Sequence, residues 1–263
     1  MNRIYALANQ KGGVGKTTTA VNLGAYLSTL GLRVLIVDGD PQANATSSLG
    51  IDKRQVRLST YEVLSGQCAA SEAVMMTQWE NLSVIPSSPG LAGAEIEIVN
   101  TSQREYLLRT AIEPIQANYD YLLIDCPPSL SLLTINALTA AQDGVIVPIQ
   151  CEYLALEGLT ELLNTITLVR DRISPQMKIR GMLMTMHDPR TNLSQQVVNE
   201  VKAHFARYLF ETVIPRNVSL GEAPSFGMPI MAYAPRSAGA RAYQNLTLEL
   251  IRADGWQVPG AEQ

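Results

Sequence analysis

The chain has 263 residues and a formal net charge of −4, which is long enough for one α/β domain with a sizeable core. Its three cysteines are too few and too scattered for a disulfide framework or a zinc site, so we expect a reducing, cytoplasmic environment. No apolar run approaches the roughly 20 residues of a membrane span, and we expect no targeting leader before the first strand.

The charges are distributed unevenly along the chain. Residues 1–164 contain nine Lys/Arg and 16 Asp/Glu, a net charge of −7, whereas residues 165–263 contain 11 and eight, a net charge of +3. Any nucleic-acid surface is therefore expected to be a local patch in the second part. Because no linker, charge run or repeat interrupts the sequence, we predict a single domain over residues 1–263.

A glycine-rich loop lies between the first predicted strand, residues 4–8, and the first predicted helix, Thr18 to Leu30. The loop follows the Walker A pattern, except that Gln10 stands where its first glycine is expected. Its backbone N–H groups are predicted to hold phosphates, Lys16 to place a positive charge on them, and the Thr17 hydroxyl to bind Mg²⁺. The predicted nucleotide-binding residues here are Lys11, Gly12, Gly13, Val14, Gly15, Lys16, Thr17 and Thr18.

A second lysine, Lys11, lies in the same loop. Lys16 already supplies a cation to the phosphates within one subunit, so Lys11 is free to reach toward a nucleotide held by a second copy. Its position alone leaves open whether it is a surface charge or a functional residue.

Aspartates follow two of the predicted strands. Residues 33–37 form an apolar run that ends at Asp38 and Asp40, and residues 121–124 form another that ends at Asp125. Asp125 fits the Walker B position, where a carboxylate holds Mg²⁺ directly or through water. Asp38 is either a further residue of the metal site or a structural cap.

The strand and helix patterns predict a doubly covered parallel sheet of the P-loop type. Continuous apolar strands that alternate with helices indicate an α/β fold with helices on both faces. Ligands of such sheets bind beyond the carboxyl ends of the strands, where the aspartates lie. Further strands are predicted at residues 82–85, 144–148, 179–185 and 212–214, and helices at 154–172 and 193–208.

The sequence KGGVGKT, with Lys11 and Lys16, resembles the deviant Walker A box of the ParA/MinD ATPases, and DGDPQ at residues 38–42 resembles their second signature. Further segments are similar to the short chromosomal ParA (Soj) proteins over nearly the whole chain. They are residues 50–51, 91–95, 125–129, 134–138, 151–158, 190–192 and 213–225.

The resemblance implies an ATP- and Mg²⁺-dependent ATPase that segregates chromosomes or plasmids. By that resemblance, Lys11 crosses a dimer interface to the partner's ATP, and Asp40 positions the attacking water. Lys11, Lys16 and Asp40 are thus the expected catalytic residues, Thr17, Asp38 and Asp125 form the metal site, and Pro215, Arg216 and Asn217 line the adenine pocket. The implied partners are a second copy, non-specific double-stranded DNA at the nucleoid and a ParB-type centromere-binding protein that stimulates hydrolysis.

DNA contacts are expected from the basic second part of the chain. Arg190 matches a position at which relatives use arginine, whereas Ser219 stands where some relatives have one, which predicts weaker binding. The additional candidates are Lys202, Arg207, Arg236, Arg241 and Arg252, each of which is also consistent with a solvated surface charge. No helix-turn-helix extension precedes the loop, so we expect binding without sequence preference.

Two other functions are consistent with the same catalytic part. One is the positioning of another cargo over the nucleoid, and the other is a MinD-like regulator of division at the membrane. The last helical pattern contains Glu249, Arg252 and Asp254, a charge balance that does not favour binding to anionic lipid. An iron–sulfur electron carrier is not favoured, because Cys126 lies beside Asp125 and is expected to be a packed small residue.

Overall fold

The computed structural model describes residues 2–152 and 155–256. The strands are β1 (Arg3–Leu7), β2 (Val34–Asp38), β3 (Met75–Met76), β4 (Leu82–Ile85), β5 (Tyr121–Asp125), β6 (Gly144–Gln150) and β7 (Ile179–Thr185). The helices are α1 (Lys16–Thr29), α2 (Asn44–Ser48), α3 (Thr60–Leu64), α4 (Ala70–Ala73), α5 (Leu91–Ile98), α6 (Leu107–Ile112), α7 (Leu132–Ala140), α8 (Ala155–Arg172), α9 (Asn192–Phe205), α10 (Val218–Glu222), α11 (Ile230–Tyr233) and α12 (Ala238–Ala253).

The strands form one seven-stranded sheet in the order β3-β4-β2-β5-β1-β6-β7. Every pairing is parallel except that of the short edge strand β3 with β4. The predicted α/β fold with a mostly parallel sheet is therefore confirmed. Because β1 is an interior strand, between β5 and β6, the glycine-rich loop that follows it has neighbouring strands on both sides at the carboxyl edge.

Both faces of the sheet are buried, which explains why its strands are continuous apolar runs rather than alternating ones. All five residues of β2 and of β5 are buried. Successive residues of a strand point to opposite faces, so Ile4 packs in one core with helices α3 to α9, whereas Tyr5 packs in the other with α1, α2, α11 and α12. Truncation of one such side chain, Leu123→Ala, would destabilise the fold by about 2–5 kcal/mol.

A polar cluster at the opposite edge of the sheet fixes the end of the last helix. Asp254, which follows α12, accepts hydrogen bonds from the hydroxyls of Tyr5 and Tyr121 at 2.7 and 2.8 Å, and its side chain is 4% exposed. Arg180 of β7 donates to the same carboxylate at 2.9 Å. These bonds attach α12 to three strands, and the sequence pattern did not predict them.

The structure corrects the prediction of a strand at residues 212–214. This segment runs beside β7, and the N–H of Ile214 donates to the carbonyl of Met184 at 2.9 Å. The isolated bridges lie outside the segment, between Met182 and Leu209 and between His187 and Pro215. The N–H groups of Glu211 and Thr212 bond to the Glu249 carboxylate at 2.7 and 3.0 Å, so they are unavailable for a strand ladder. The predicted helix over 193–208 ends earlier, at Phe205, and continues as a 3₁₀ turn. Position 154, where the other helix was predicted to begin, lies outside the described residues.

Candidate nucleotide-binding site

The glycine-rich loop connects β1 to the amino end of α1. Gly15 directly precedes α1 and has a φ of 94°, a left-handed conformation that other residues adopt at a cost. It has no side chain that could cap the helix, so the first N–H groups of α1 face the loop without an intrahelical acceptor. Their partial positive charge favours an anion such as a phosphate group at this position.

Two side chains that the sequence analysis did not single out hold the loop from outside. Asn9 donates from Nδ2 to the carbonyl of Pro148 at 2.7 Å, and its Oδ1 accepts the N–H of Lys11 at 3.0 Å. Thr185, the last residue of β7, donates from Oγ1 to the carbonyl of Val14 at 2.8 Å. The loop is thus attached to β6 and β7. The sequence signal for both residues is weak, a single polar residue at a strand end.

Lys16 is the first residue of α1, and its side chain is almost enclosed, with 6% of the residue exposed. Its ammonium group donates to the carbonyl of Lys11 at 3.2 Å, across the mouth of the loop. Burial lowers the pKa of Lys16, an effect that the negative charges of Asp125 and Asp40 partly oppose. A phosphate group at the end of α1 would restore the charged partner that this ammonium lacks.

Asp38 and Asp125 lie side by side in the register of β2 and β5, and both are fully buried. The hydroxyl of Thr17 donates to Oδ2 of Asp125 at 2.7 Å, which joins the start of α1 to the end of β5. Oδ1 of Asp125 is buried and has no hydrogen-bond partner among the described residues. A buried carboxylate oxygen without a partner is costly, so this atom is expected to bind an additional group.

The electrostatics of this pair also favour a cation. Burial raises the pKa of Asp125 well above its ordinary value, and the neighbouring charge of Asp38 raises it further. Burial likewise raises the pKa of Asp38 to about 6, although hydrogen bonds from Thr46 and Asp40 oppose the shift. A divalent cation beside the two carboxylates would favour their ionised forms and lower both pKa values.

The residues present fit Mg²⁺. The described residues contain no group of three or more His, Cys, Asp or Glu side chains that would enclose a metal. A P-loop site does not need such a group, because Mg²⁺ keeps several waters and takes one or two protein oxygens plus phosphate oxygens. The Thr17 hydroxyl and the unpaired Oδ1 of Asp125 are oxygen donors of this kind.

The turn that contains Asp40 is pressed against β5. The N–H of Gly39 donates to the carbonyl of Asp125 at 2.9 Å, and a Cβ at this position would lie 2.8 Å from the same oxygen, so only glycine fits. Asp40 is 6% exposed, and its Oδ1 accepts the N–H of Gln42 at 2.9 Å. Its neighbour Asp38 accepts the N–H and hydroxyl of Thr46 at 2.8 and 2.6 Å. Both carboxylates are therefore held in fixed orientations.

A cavity of about 250 Å³ lies beside the loop, between the end of β7 and α12. Its lining includes Pro215, Arg216 and Asn217, the residues predicted for an adenine pocket, and also Met186 and Tyr243. Oδ1 of Asn217 is buried without a hydrogen-bond partner among the described residues. Apolar walls with a single unpaired acceptor suit a flat base that carries an amino group.

The ammonium group of Lys11 contacts an acid that follows β6. Its ammonium group forms an ion pair with Oε2 of Glu152 at 3.2 Å, and the two side chains are 32% and 50% exposed. Gln150 donates to the other oxygen of the same carboxylate. Lys11 is therefore accessible at the surface and held by one partly exposed acid within its own subunit.

Arg190 is exposed, but it is not a free positive charge. Its guanidinium donates to both oxygens of Asp188, at 2.9 and 2.7 Å, and its side chain is 85% exposed. Arg190 holds the pKa of Asp188 well below its usual range. The pair is close to neutral as a whole, which the sequence alone did not reveal. Arg190 contributes a net charge to an anion only if the anion competes with Asp188.

The remaining basic candidates lie in two places. Lys202 and Arg207 are exposed near the end of α9, and the guanidinium of Arg207 lies 4.6 Å from the ring of Tyr208. Arg241 and Arg252 line one groove along α12, and Arg241 donates to the carbonyl of Arg236 at 2.7 Å. None of these five forms a salt bridge with the residues that the structure describes.

Two further features bear on the alternative functions. In the described part of the chain, no helix combines the length and the apolar character that crossing a membrane requires. Cys126 is fully buried beside Asp125, and burial raises the pKa of its thiol. It is thus a packed small residue, as expected from its position.

Comparisons with known proteins agree with this geometry. A family described as AAA domain matches residues 2–179. The sporulation initiation inhibitor protein Soj of Bacillus subtilis is 56% identical, covering 97% of this chain and all of its own length. The chromosome partitioning protein ParA of Caulobacter vibrioides is 51% identical, covering 95% of this chain and 94% of its own.

Among solved structures, a Mycobacterium smegmatis protein named cobyrinic acid a,c-diamide synthase, with a bound ATP analogue and magnesium, is 38% identical. It has a TM-score of 0.85 and covers 98% of each chain. Its name indicates another activity, but the higher identity is to the partitioning proteins, over nearly their full lengths. The chain therefore belongs to the ParA/Soj family of chromosome-partitioning ATPases.

Proposed function

We propose that this protein is a DNA-partitioning ATPase that binds ATP with Mg²⁺, dimerises, holds DNA without sequence preference, and releases it after hydrolysis. The observation that carries the catalytic part is the Thr17–Asp125 hydrogen bond, with the unpaired Oδ1 of Asp125 next to the buried Lys16. We take residues 1–263 to be one ATPase domain, located at the nucleoid in the cytoplasm.

The loop and three side chains would bind the triphosphate. The N–H groups at the start of α1 and the ammonium group of Lys16 neutralise phosphate charge, while Thr17 and Asp125 hold the metal. Mg²⁺, when bound, neutralises charge that develops on the phosphates. The cavity of about 250 Å³ beside the loop is called the base cavity from here on. In it, Oδ1 of Asn217 accepts a hydrogen bond from the amino group of adenine. Guanine has no amino group at the corresponding ring position.

Asp40 is the residue that orients the attacking water. It is fixed by Gln42, it lies near Lys16, and its carboxylate retains one oxygen that does not accept the Gln42 N–H. Because phosphoryl transfer depends mainly on positioning and charge stabilisation, an oriented acceptor for the water is the main contribution expected from a carboxylate here.

Lys11 would join two subunits. Its partly exposed side chain, paired with Glu152, suits contact with the nucleotide of a second copy. The Glu152 pair must then open, and an exposed pair of this kind opens at a cost of about 0–1 kcal/mol. Lys11→Ala is therefore expected to keep ATP affinity within about threefold and to weaken the ATP-dependent dimer about tenfold, the effect of one charged hydrogen bond.

Light scattering with ATP and Mg²⁺ measures the Lys11→Ala effect, and Lys178→Ala, an exposed lysine at the opposite edge of the sheet, is the matched control. An ATP dimer of normal affinity in the Lys11 variant would leave this residue as an ordinary surface charge.

DNA contacts come from Arg190 and from the basic residues of α9 and α12. Pairing two subunits doubles the number of phosphate contacts and so multiplies the affinity, which makes ATP a switch for residence on DNA. A ParB-type centromere-binding protein is the partner that stimulates hydrolysis. A pull-down with an Asp40→Ala variant, which is expected to remain in the ATP state, would capture that partner.

The test is a mobility shift on unrelated DNA sequences with ATP, ADP or no nucleotide, at several salt concentrations. We expect binding that requires ATP, falls steeply with salt and is independent of sequence. Absence of binding at every salt concentration would contradict the DNA function and favour positioning of another cargo or membrane association. Vesicles of anionic lipid, assayed in parallel, distinguish those two.

A further inference from the structure

Thr185 connects the phosphate-binding loop to the segment that carries Arg190. Its hydroxyl donates to the carbonyl of Val14 at 2.8 Å, and the two residues are 2% and 1% exposed. In a loop whose N–H groups turn toward phosphates, carbonyl groups turn toward the protein and need donors there. Thr185 supplies that donor from β7, across the intervening strand β6.

The two residues that follow Thr185 are held in place, Met186 by its backbone conformation and His187 by hydrogen bonds. Met186 has a φ of 53°, a left-handed conformation that is uncommon for a residue with a side chain, and it lines the base cavity. The N–H of His187 donates to the carbonyl of Ile214 at 3.1 Å, and the carbonyl of His187 accepts the N–H of Arg216 at 2.9 Å. Residues 186–187 are thus held between the phosphate-binding loop and the wall of the base cavity.

Further hydrogen bonds hold the chain from Asp188 to Arg190. The N–H of Asp188 donates to Oγ of Ser194 at 3.1 Å, and its carbonyl accepts the N–H of Thr191 at 3.1 Å. The Asp188 carboxylate accepts both the N–H of Arg190, at 3.1 Å, and the guanidinium. Only four residues separate Thr185 from Arg190, and Met186, His187 and Asp188 are fixed by backbone conformation or by hydrogen bonds. A displacement of Thr185 therefore displaces Arg190.

We propose that Thr185 is a positioning residue that makes the orientation of Arg190 depend on the phosphate-binding loop, so that bound nucleotide controls the DNA contact. When phosphates draw the N–H groups of the loop inward, the peptide plane of Val14 turns, and its carbonyl moves the hydroxyl of Thr185. The segment pivots at Met186 and shifts the Asp188–Arg190 pair. This inference rests on the proposed function, because it takes Arg190 to be a DNA contact.

Thr185→Val, which keeps the shape and removes the hydroxyl, is the main test. At saturating ATP and Mg²⁺ we expect its affinity for unrelated DNA to fall about tenfold, the effect of one buried hydrogen bond. Thr185→Ser should retain wild-type affinity. The matched control is Thr139→Val, a threonine that is 1% exposed and whose hydroxyl donates to the carbonyl of Glu105, a residue of another element.

Saturation with nucleotide distinguishes coupling from support of the loop. If Thr185 only helps the loop to bind ATP, raising the ATP concentration would restore wild-type DNA affinity in Thr185→Val, and the proposal would be wrong. A double-mutant cycle with Arg190→Ala adds a second criterion. In the Arg190→Ala background, Thr185→Val should have almost no further effect on DNA affinity, whereas independent, additive effects would also overturn the proposal.

A readout without DNA separates this inference from the proposed function. Amide hydrogen exchange of residues 186–191 should slow when a non-hydrolysable ATP analogue and Mg²⁺ bind to the wild type, but not when they bind to Thr185→Val. Equal slowing in both proteins would contradict the coupling. If the wild type shows the slowing but does not bind DNA, the coupling stands and the DNA function fails.

Discussion

The carboxyl edge of the sheet around the phosphate-binding loop differs from the exposed basic residues in how its charges are held. These basic residues are Arg190 and the cations on or beside α9 and α12, and together they are called the basic surface. At the edge, Lys16, Asp38 and Asp125 are at most 6% exposed and are fixed by backbone or hydroxyl groups. On the basic surface, Arg190 is neutralised by Asp188, and the other cations are solvated. Buried charges interact strongly in a low-dielectric setting, whereas exposed charges are screened.

The difference indicates how each region works. The side chains of Lys16, Asp38 and Asp125 are oriented before any ligand arrives, so each is expected to matter individually and strongly. Basic surface residues are expected to act as a sum of modest, salt-dependent contributions, as is usual for contacts with DNA phosphates. Substitutions in the two regions should therefore differ in size and in their response to salt.

Lys16→Ala should have the largest effect. The phosphates lose a desolvated cation worth about 3 kcal/mol, so we expect ATP affinity to fall about 100-fold. Titration with a fluorescent ATP analogue measures this, with Lys178→Ala as the control for loss of a lysine. Near-normal ATP affinity would refute the assignment of the loop. A modest loss of affinity that depends on the salt concentration would remove the contrast between the two regions.

Asp40→Ala should bind ATP with nearly wild-type affinity but hydrolyse it about 100-fold more slowly, because the water loses its orienting carboxylate. Single-turnover hydrolysis gives the rate, and nucleotide titration checks the affinity. We expect the ATP dimer of this variant to persist on DNA. Turnover at the wild-type rate would transfer the role to another carboxylate, with Asp125 the first to test.

Arg190→Glu tests the basic surface. Reversal replaces attraction by repulsion in both subunits of a dimer, so DNA affinity should fall about 30-fold at low salt, with a smaller salt slope. ATP binding and dimerisation should be retained. Asp188→Asn sharpens the result: if DNA phosphates compete with Asp188 for Arg190, this variant binds DNA more tightly. Unchanged binding in Arg190→Glu would remove this residue from the surface.

The smallest expected effect concerns stability in the absence of nucleotide. Burial raises the pKa of Asp38 to about 6, above the unfolded value near 4, so the folded state binds more protons between these values. Stability is therefore lost as pH rises from about 4 to about 6, and Asp125 acts in the same direction. Asp38→Asn should stabilise the protein by about 1 kcal/mol at pH 7 and by less near pH 4.5.

Urea unfolding of the wild type and of Asp38→Asn at the two pH values checks this prediction. An equal difference between the two proteins at both pH values would show that ionisation of Asp38 has no net cost in the folded protein.

Much of the sheet edge was predictable from the sequence, because local chemistry determines it. The run from Ile4 to Thr17 specifies a strand, a tight turn and a helix start, and apolar strands that end in aspartates place Asp38 and Asp125 at one edge of a parallel sheet. The supports of that edge were not predictable. Thr185 contacts Val14 from a strand 171 positions later in the chain, and no spacing rule relates the two.

The basic surface was predictable only as a list of charges. Its net positive sign follows from composition, but the near-neutral pair of Arg190 with Asp188, and the shared groove of Arg241 and Arg252, depend on side-chain placement. The strand predicted at 212–214 also failed for want of side-chain placement. The Glu249 carboxylate accepts the N–H groups of Glu211 and Thr212, which a strand would have used for its ladder.

The sequence by itself determined the α/β fold, the phosphate-binding loop and the family, because apolar periodicity and glycine placement act over short stretches of chain. Only the tertiary structure decided which charges are buried, which are paired and which remain exposed. These properties arise from contacts between residues far apart in the chain, such as Lys11 with Glu152 and Tyr5 with Asp254. Burial and pairing set the strength of each charge, and therefore its contribution to function.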